Sequence, residues 1–311
     1  MKVIEHLQSV KEPLISFEIV PPQRGSDFKK LEEVIAALAK FNPPFIDVTS
    51  HAAQVIGSNN GILRRKRPGT LGICAVIQHK YKIDAVPHVL CHGFTREETE
   101  DFLIDLSYLG IQNVLALRGD KTSSKKALQP SRSVNEYAKD LVEQITAMNS
   151  GKYLEEQSGT TASDFCIGVA GYPETHFESG NAAADLKYLC EKVQACAEYI
   201  VTQMFFDNKM YFDFVKQCRN HKIEVPIVPG LKVLTSKEQL VSLPRNFYIK
   251  IPEDLVQQVE SAKDKNEAVE AGVHWALKQT EELINHNVPA VHFYVMGNPA
   301  PVIEVISRLK K

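Results

Sequence analysis

The chain alternates from end to end between short apolar runs and longer amphipathic stretches. Leu14-Ile15-Ser16-Phe17-Glu18-Ile19-Val20 is strand-like and stopped by Pro21-Pro22. Seven further strand-like runs follow at 45–49, 83–91, 113–118, 165–170, 199–203, 225–229 and 290–295. Helical spacing lies between them. Leu31, Val34, Ile35, Leu38 and Phe41 follow Asp27 as a cap, and Phe102, Leu103, Leu106 and Leu109 follow the capping-box pattern Thr95-Arg96-Glu97-Glu98 and end at Gly110. Helices are also expected at 134–149, 181–197, 211–220 and 301–309, with two or three more between Gly230 and Asn285. The run Leu71–Ile77 suits either state; with Thr70 as a cap it is read as helix, which makes 83–91 the third strand, irregular at Pro87. Stretches 121–132 and 151–164 are polar and read as loops.

Eight strands, nearly all followed by helix, predict a (β/α)8 barrel, the TIM-barrel architecture, as one domain over 1–311. A doubly wound sheet would want Gly-x-Gly-x-x-Gly after an early strand, and the chain has none. In a barrel the site lies at the carboxyl ends of the strands. Polar residues collect there: Glu18, Thr49, His88, Asp120, Tyr172 with His176, and Gln203 belong to six successive strands. Glu18 stands out, because a carboxylate in a run apolar on both faces is desolvated and holds its proton to higher pH, as a general acid must. The plainer alternative is a Glu paired with Arg or Lys at a strand end.

Composition narrows the chemistry. With 44% hydrophobic and 24% charged residues and a net charge of -2, the chain is an ordinary globular one without a basic field. Arg64-Arg65-Lys66-Arg67 is an isolated basic run, so no nucleic-acid partner is expected. The N-terminus lacks a signal-peptide core and no apolar stretch is long enough to span a bilayer, so a cytoplasmic, membrane-free protein is expected. Six cysteines without Cys-x-x-Cys suggest neither zinc nor disulfides, and no His-x-His or His-Glu-x-x-His pair suggests another metal. Amides, an acid and aromatics at one mouth suit a flat heterocycle.

The same residues carry a resemblance. Ser16-Phe17-Glu18 with Pro21-Pro22, Pro87-His88, Ala116-Leu117-Arg118-Gly119-Asp120, Tyr172-Pro173-Glu174-x-His176, Thr202-Gln203-x-x-Phe206-Asp207, Pro229-Gly230 and His292-Phe293-Tyr294 occur in this order across almost the whole chain. The sequence thereby resembles the methylenetetrahydrofolate reductase family, flavin enzymes on a (β/α)8 barrel. The resemblance implies bound FAD, NADH or NADPH as hydride donor, and 5,10-methylenetetrahydrofolate as substrate in one-carbon metabolism and methionine biosynthesis. By motif match Glu18 is the acid that opens the folate's five-membered ring, and Asp120 lies by the flavin and holds the pterin. Gln203 helps place the substrate, with Gln239 and Leu243 as looser matches. Thr49, His88, Arg118, Gly119, Asp120, Tyr172, His176, Asp185 and Lys192, followed by Tyr137 and Ala138, fall where the family contacts FAD.

The chain departs from the family pattern at Ser50-His51-Ala52-Ala53-Gln54, at Ala195-Cys196-Ala197-Glu198, and at Met296-Gly297-Asn298-Pro299, where an Arg is expected. With no separate dinucleotide fingerprint, the nicotinamide and the folate are expected to use the flavin in turn, with ping-pong kinetics. An assembly of identical subunits is expected, and no inhibition by S-adenosylmethionine, as the sequence ends with the barrel's last helix. Two alternatives stay open: a related flavin barrel, proline dehydrogenase-like or fed by a partner protein, and a flavin-free folate-binding or methyl-transferring barrel.

Overall fold

A computed structural model describes residues 1–9, 12–56, 62–64, 67–119, 133–156 and 158–309. The strands in chain order are β1 (Leu14–Ile19), β2 (Phe45–Val48), β3 (Gln54–Ile56), β4 (Ile62–Arg64), β5 (Asp84–Leu90), β6 (Asn113–Leu117), β7 (Cys166–Gly171), β8 (Tyr199–Thr202), β9 (Ile227–Val228), β10 (Gly230–Leu231) and β11 (Ala290–Met296). All but β3 and β4 pair in parallel in the order β10-β11-β1-β2-β5-β6-β7-β8-β9. β9 and β10 are two pieces of one strand parted by Pro229, so the list begins and ends on the same strand and the sheet is an eight-stranded (β/α)8 barrel. Every strand-like run of the sequence is therefore a barrel strand.

The seam at Pro229 is close-fitting. Its carbonyl accepts from His292 N–H at 2.9 Å, and Gly230 N–H donates to Thr202 Oγ1 at 2.9 Å. A Cβ on Gly230 would stand 2.3 Å from the Thr202 carbonyl oxygen, so only glycine lets the two backbones meet. Gly230, expected to open a connection, in fact completes the barrel.

The helices are α1 (Val3–Ser9), α2 (Phe28–Ala39), α3 (Thr70–Val76), α4 (Arg96–Tyr108), α5 (Ala138–Asn149), α6 (Ala182–Gln194), α7 (Asn208–Asn220), α8 (Gln239–Phe247), α9 (Glu253–Glu260), α10 (Lys265–Asn285) and α11 (Ala300–Leu309). Caps fix their starts as the sequence suggests for Asp27 and for the reciprocal Thr95–Glu98 box. The Leu71–Ile77 run is helical, but Gly69 is its cap and Thr70 instead donates its hydroxyl to the Thr49 carbonyl. α5 begins at Ala138 rather than at Val134, because Asp140 accepts from the amides of Glu136 and Tyr137 and pins the turn ahead of the helix.

Pro87 causes no bulge. β5 pairs with β2 up to Pro87 and with β6 from His88, so the missing N–H falls where the strand passes between neighbours. The irregularity lies elsewhere, on β11: Glu18 pairs with Tyr294 and Ile19 with Met296, leaving Val295 as an extra residue beside Glu18.

Alternation sorts the strand residues into two sets. Ile46, Val48, Val114, Val169, Ile200 and Phe293 face the helices in the main core, whereas Phe45, Val86, Leu115, Tyr199, Val228 and Ala290 line the lumen. Helix α1 stoppers that lumen with Val3 and Leu7. It is held there by Val3 N–H on Asn113 Oδ1 at 2.7 Å, His6 on Asp84 at 2.6 Å, and Lys2 on Asp164. No helix among the described residues is long and apolar enough to cross a membrane.

Candidate active site

Two residues beyond the apolar lumen positions, the same strands turn polar. Ser16 and Glu18 follow Leu14 on β1, Asp47 follows Phe45 on β2, His88 follows Val86 on β5, and His292 and Tyr294 follow Ala290 on β11. Glu18 and Asp47 are register partners on adjacent strands. Both carboxyls converge on one imidazole nitrogen: His88 Nε2 is 3.4 Å from Glu18 Oε2 and 3.6 Å from Asp47 Oδ2. Glu18 is 8% exposed, His88 5% and Asp47 0%. These contacts are longer than strong hydrogen bonds, so the fields, not tight pairing, set the proton affinities.

Burial pushes the Glu18 carboxyl up to about 7; His88 and Lys232 oppose the rise and Asp47 adds to it. Asp47 is raised well above the usual carboxylate range by burial. His88 is lowered by burial against the pull of Glu18. His292 is lowered to about 3 by burial and by His88, and its Nδ1 meets Ser16 Oγ at 2.8 Å. Lys232 is lowered to about 8 by burial, opposed by Glu18, and donates to the Tyr294 carbonyl at 3.1 Å. Tyr294 in turn donates its hydroxyl to the Thr202 carbonyl at 2.6 Å. A carboxyl near 7, beside the His88 imidazole at a strand's end, can give or take a proton at neutral pH.

A second group forms the rim beyond β6 and β7. The Arg118 guanidinium pairs with Glu178 and lies 4.8 Å above the Tyr137 ring, and its Nε donates to the Glu136 carbonyl. Glu178 N–H donates to His176 Nδ1 at 3.2 Å, and His176 meets Tyr172 edge-on at 4.6 Å. Asp185 accepts from His176 N–H at 2.9 Å and from the Ser179 hydroxyl at 3.0 Å. Lys192 donates to the Ala170 carbonyl at 2.6 Å and is lowered to about 8 by burial, against the pull of Asp185. Gly119 has φ +76°, a conformation open to glycine, at the turn out of β6.

Seven of the expected cofactor positions, Arg118, Gly119, Tyr137, Tyr172, His176, Asp185 and Lys192, thus fall in one rim, with Ala138 at the start of α5. His88 lies in the lumen beside Glu18. Thr49 follows β2, its hydroxyl 3.2 Å from His51 Nε2. Gln203 follows β8, with Oε1 accepting from Met204 N–H, and Gln239 is engaged by its own turn through Thr235. Leu243 is buried in a separate apolar cluster with Leu255 and Val259. Asp120 lies outside the described residues. Sequence reasoning missed Asp47 and Lys232. The sign that singled out Glu18, a lone acid in an apolar strand, applies equally to Asp47 in Phe45-Ile46-Asp47-Val48. Lys232 was hidden because Gly230–Leu231 was not recognised as strand.

A cavity of 530 Å³ opens at the opposite end of the barrel, lined by Leu7, Pro13, Phe212, Arg219 and Pro289 among others. It faces the amino ends of the strands, which in this fold serve stability, and holds none of the groups above.

Fold and site together define a (β/α)8 barrel that presents buried acid–base groups at the carboxyl ends of its strands. The chain belongs to the methylenetetrahydrofolate reductase family: the family profile described as Methylenetetrahydrofolate reductase matches residues 2–310. It is 31% identical to methylenetetrahydrofolate reductase (NADH) 1 of Arabidopsis thaliana over 99% of this chain and 51% of that one. It is likewise 31% identical to 5,10-methylenetetrahydrofolate reductase of Escherichia coli (strain K12), over 91% of this chain and 86% of that one. The probable methylenetetrahydrofolate reductase (NADPH) of Caenorhabditis elegans is 27% identical over 98% of this chain and 43% of that one. The chain spans about half the length of the plant and nematode relatives. Among solved structures, an uncharacterized protein from Clostridium thermocellum that binds two copies of 5-methyl-5,6,7,8-tetrahydrofolic acid superposes with a TM-score of 0.60 at 14% identity, over 98% of both chains. That likeness is one of fold.

Proposed function

We propose that this barrel reduces 5,10-methylenetetrahydrofolate to 5-methyltetrahydrofolate with FAD as prosthetic group and NADH or NADPH as reductant. The observation that carries the proposal is Glu18, a carboxyl with a proton affinity near 7, buried at the carboxyl end of β1. Opening the folate's five-membered ring requires a nitrogen to leave with a proton, and a neutral buried acid is the group that supplies it.

The rim suits the cofactor. Lys192 is a cation kept in a desolvated place where it donates to the Ala170 carbonyl, a setting in which an anionic phosphate is stabilising. Arg118, His176, Tyr172 and Tyr137 offer charge and flat faces, and the backbone at Gly119 permits close approach. FAD, when bound, supplies two-electron hydride transfer between the nicotinamide and the folate. Glu18 holds the proton for the leaving nitrogen. Asp120, by its place in the family motif, is assigned to the pterin and Gln203 to substrate placement.

The test is Glu18→Gln, followed by stopped-flow absorbance on the two half-reactions. Bleaching of the flavin by NADH needs no acid at the folate and stays within about tenfold of the parent, while reoxidation by methylenetetrahydrofolate falls by ~10²-fold or more. Equal slowing of both, or loss of the flavin, would assign Glu18 to structure. A parent that purifies colourless, or is bleached by neither NADH nor NADPH without a partner protein, would overturn the proposal itself.

A further inference from the structure

Asp47 is the most anomalous group in the described structure. It is fully buried in the lumen, and neither carboxyl oxygen has a hydrogen-bond partner among the described residues, nor has His88 Nε2. Groups within electrostatic reach come from every side: Glu18 on β1, Cys74 on α3, Tyr199 on β8 and Tyr294 on β11, with His88 on β5 in contact and Lys232 acting on Glu18. No cation among the described residues neutralises Asp47, since Lys232 is engaged by the Tyr294 carbonyl. A charged carboxylate there would stand buried without a counter-charge, which disfavours the ionised form.

One nitrogen between two carboxyls admits two arrangements. If Nε2 bears hydrogen, it donates to carboxylates and holds Glu18 ionised. If Nε2 bears its lone pair, it accepts from an acid O–H and disfavours a second, ionised carboxylate beside it. We propose that Asp47 is a neutral acid whose O–H is turned toward Nε2 of His88, 3.6 Å away, and that by favouring the imidazole form with its lone pair on Nε2 it keeps Glu18 in its proton-bearing form. Asp47 is thus a positioning residue that acts through His88. Its burial, which favours the neutral carboxyl, supports this assignment. The consequence for turnover rests on the proposed reductase reaction; the protonation states do not.

Substitution separates the possibilities. Asparagine imitates the neutral acid, because its amide presents an N–H toward Nε2, whereas leucine removes the donor and fills the volume. Infrared difference spectra of the holoprotein at neutral pH should show a protonated-carboxyl C=O band that is lost in Asp47→Asn and retained in Glu18→Gln. Nitrogen-15 NMR should show His88 neutral, with hydrogen on Nδ1. Folate-driven reoxidation should stay within about threefold in Asp47→Asn and fall about tenfold or more in Asp47→Leu, with its pH profile moved to lower pH. Absence of the infrared band, or hydrogen on Nε2, overturns the proposal even if the leucine variant does not fold. A parent without folate-driven reoxidation would defeat the functional assignment, leaving the two spectra to decide on Asp47.

Discussion

The two ends of the barrel lumen are built from successive inward positions of the same strands, yet they do opposite things. At the amino end Phe45, Val86, Leu115 and Val228 pack under helix α1 with no ionisable group among them. Two residues further on, Asp47 and His88 replace that packing with groups whose proton affinities burial has displaced. One end supplies cohesion and the other holds chemistry that burial disfavours, and the period of a strand keeps them on one wall. The reactive end is tolerable because it is short and backed by a filled core.

The largest effect should come from breaking the cohesive end. Phe45→Ala should destabilise the fold by about 3–5 kcal/mol in denaturant unfolding, the usual range for truncating a buried aromatic, while Glu18 in the folded fraction still titrates near its parental value. A loss below about 1 kcal/mol would show that the lumen core is not what supports the site.

A smaller effect of opposite kind is expected at the reactive end. The folded state raises Glu18 from 4.5 to about 7, so between those values it holds a proton the unfolded chain has released. Stability therefore falls as pH rises through that window, by about 3 kcal/mol in all. Glu18→Gln lacks this dependence, so the parent-minus-variant difference in unfolding free energy should decline from pH 4.5 to 8. A flat difference would mean that Glu18 is not desolvated.

How much of this was legible follows the same division. Every barrel strand could be read from its apolar run, because burial on both faces leaves an unmistakable pattern. Helix α1 was not read, since Val3 and Leu7 are too few to mark a seven-residue helix whose partners are spread along the chain from Phe45 to Ala290. The β3–β4 hairpin and the two-residue β10 are likewise too short for periodicity. In the site, rim residues were found by motif, and Glu18 by its setting. Asp47 was passed over because four residues of strand gave its setting less contrast. That its oxygens and those of Glu18 meet at one nitrogen is a matter of register, which no local pattern carries.

The smallest expected effect concerns the stopper. Asp84 is lowered from 3.8, its own burial being outweighed by His6 and the terminal amine, so its stabilising contribution is present above pH 3.8 and is lost as pH falls through its lower folded value. Asp84→Asn should cost about 1 kcal/mol at neutral pH and speed amide exchange in α1. It should leave the Glu18 titration in place; a shift there would show that the two ends are coupled through the lumen.

The pairing of β1 with β11 sets an order in time. Ser16 and His292, 276 residues apart, share a hydrogen bond beside Glu18, and β1 gains that neighbour only when nearly the whole chain is present. Pairings of such separation form slowly and late. During synthesis Glu18 is therefore an ordinary solvated carboxylate on an open sheet edge, and it becomes an acid only when the last strand docks. The proton it takes up at that moment makes it a built-in reporter of barrel closure.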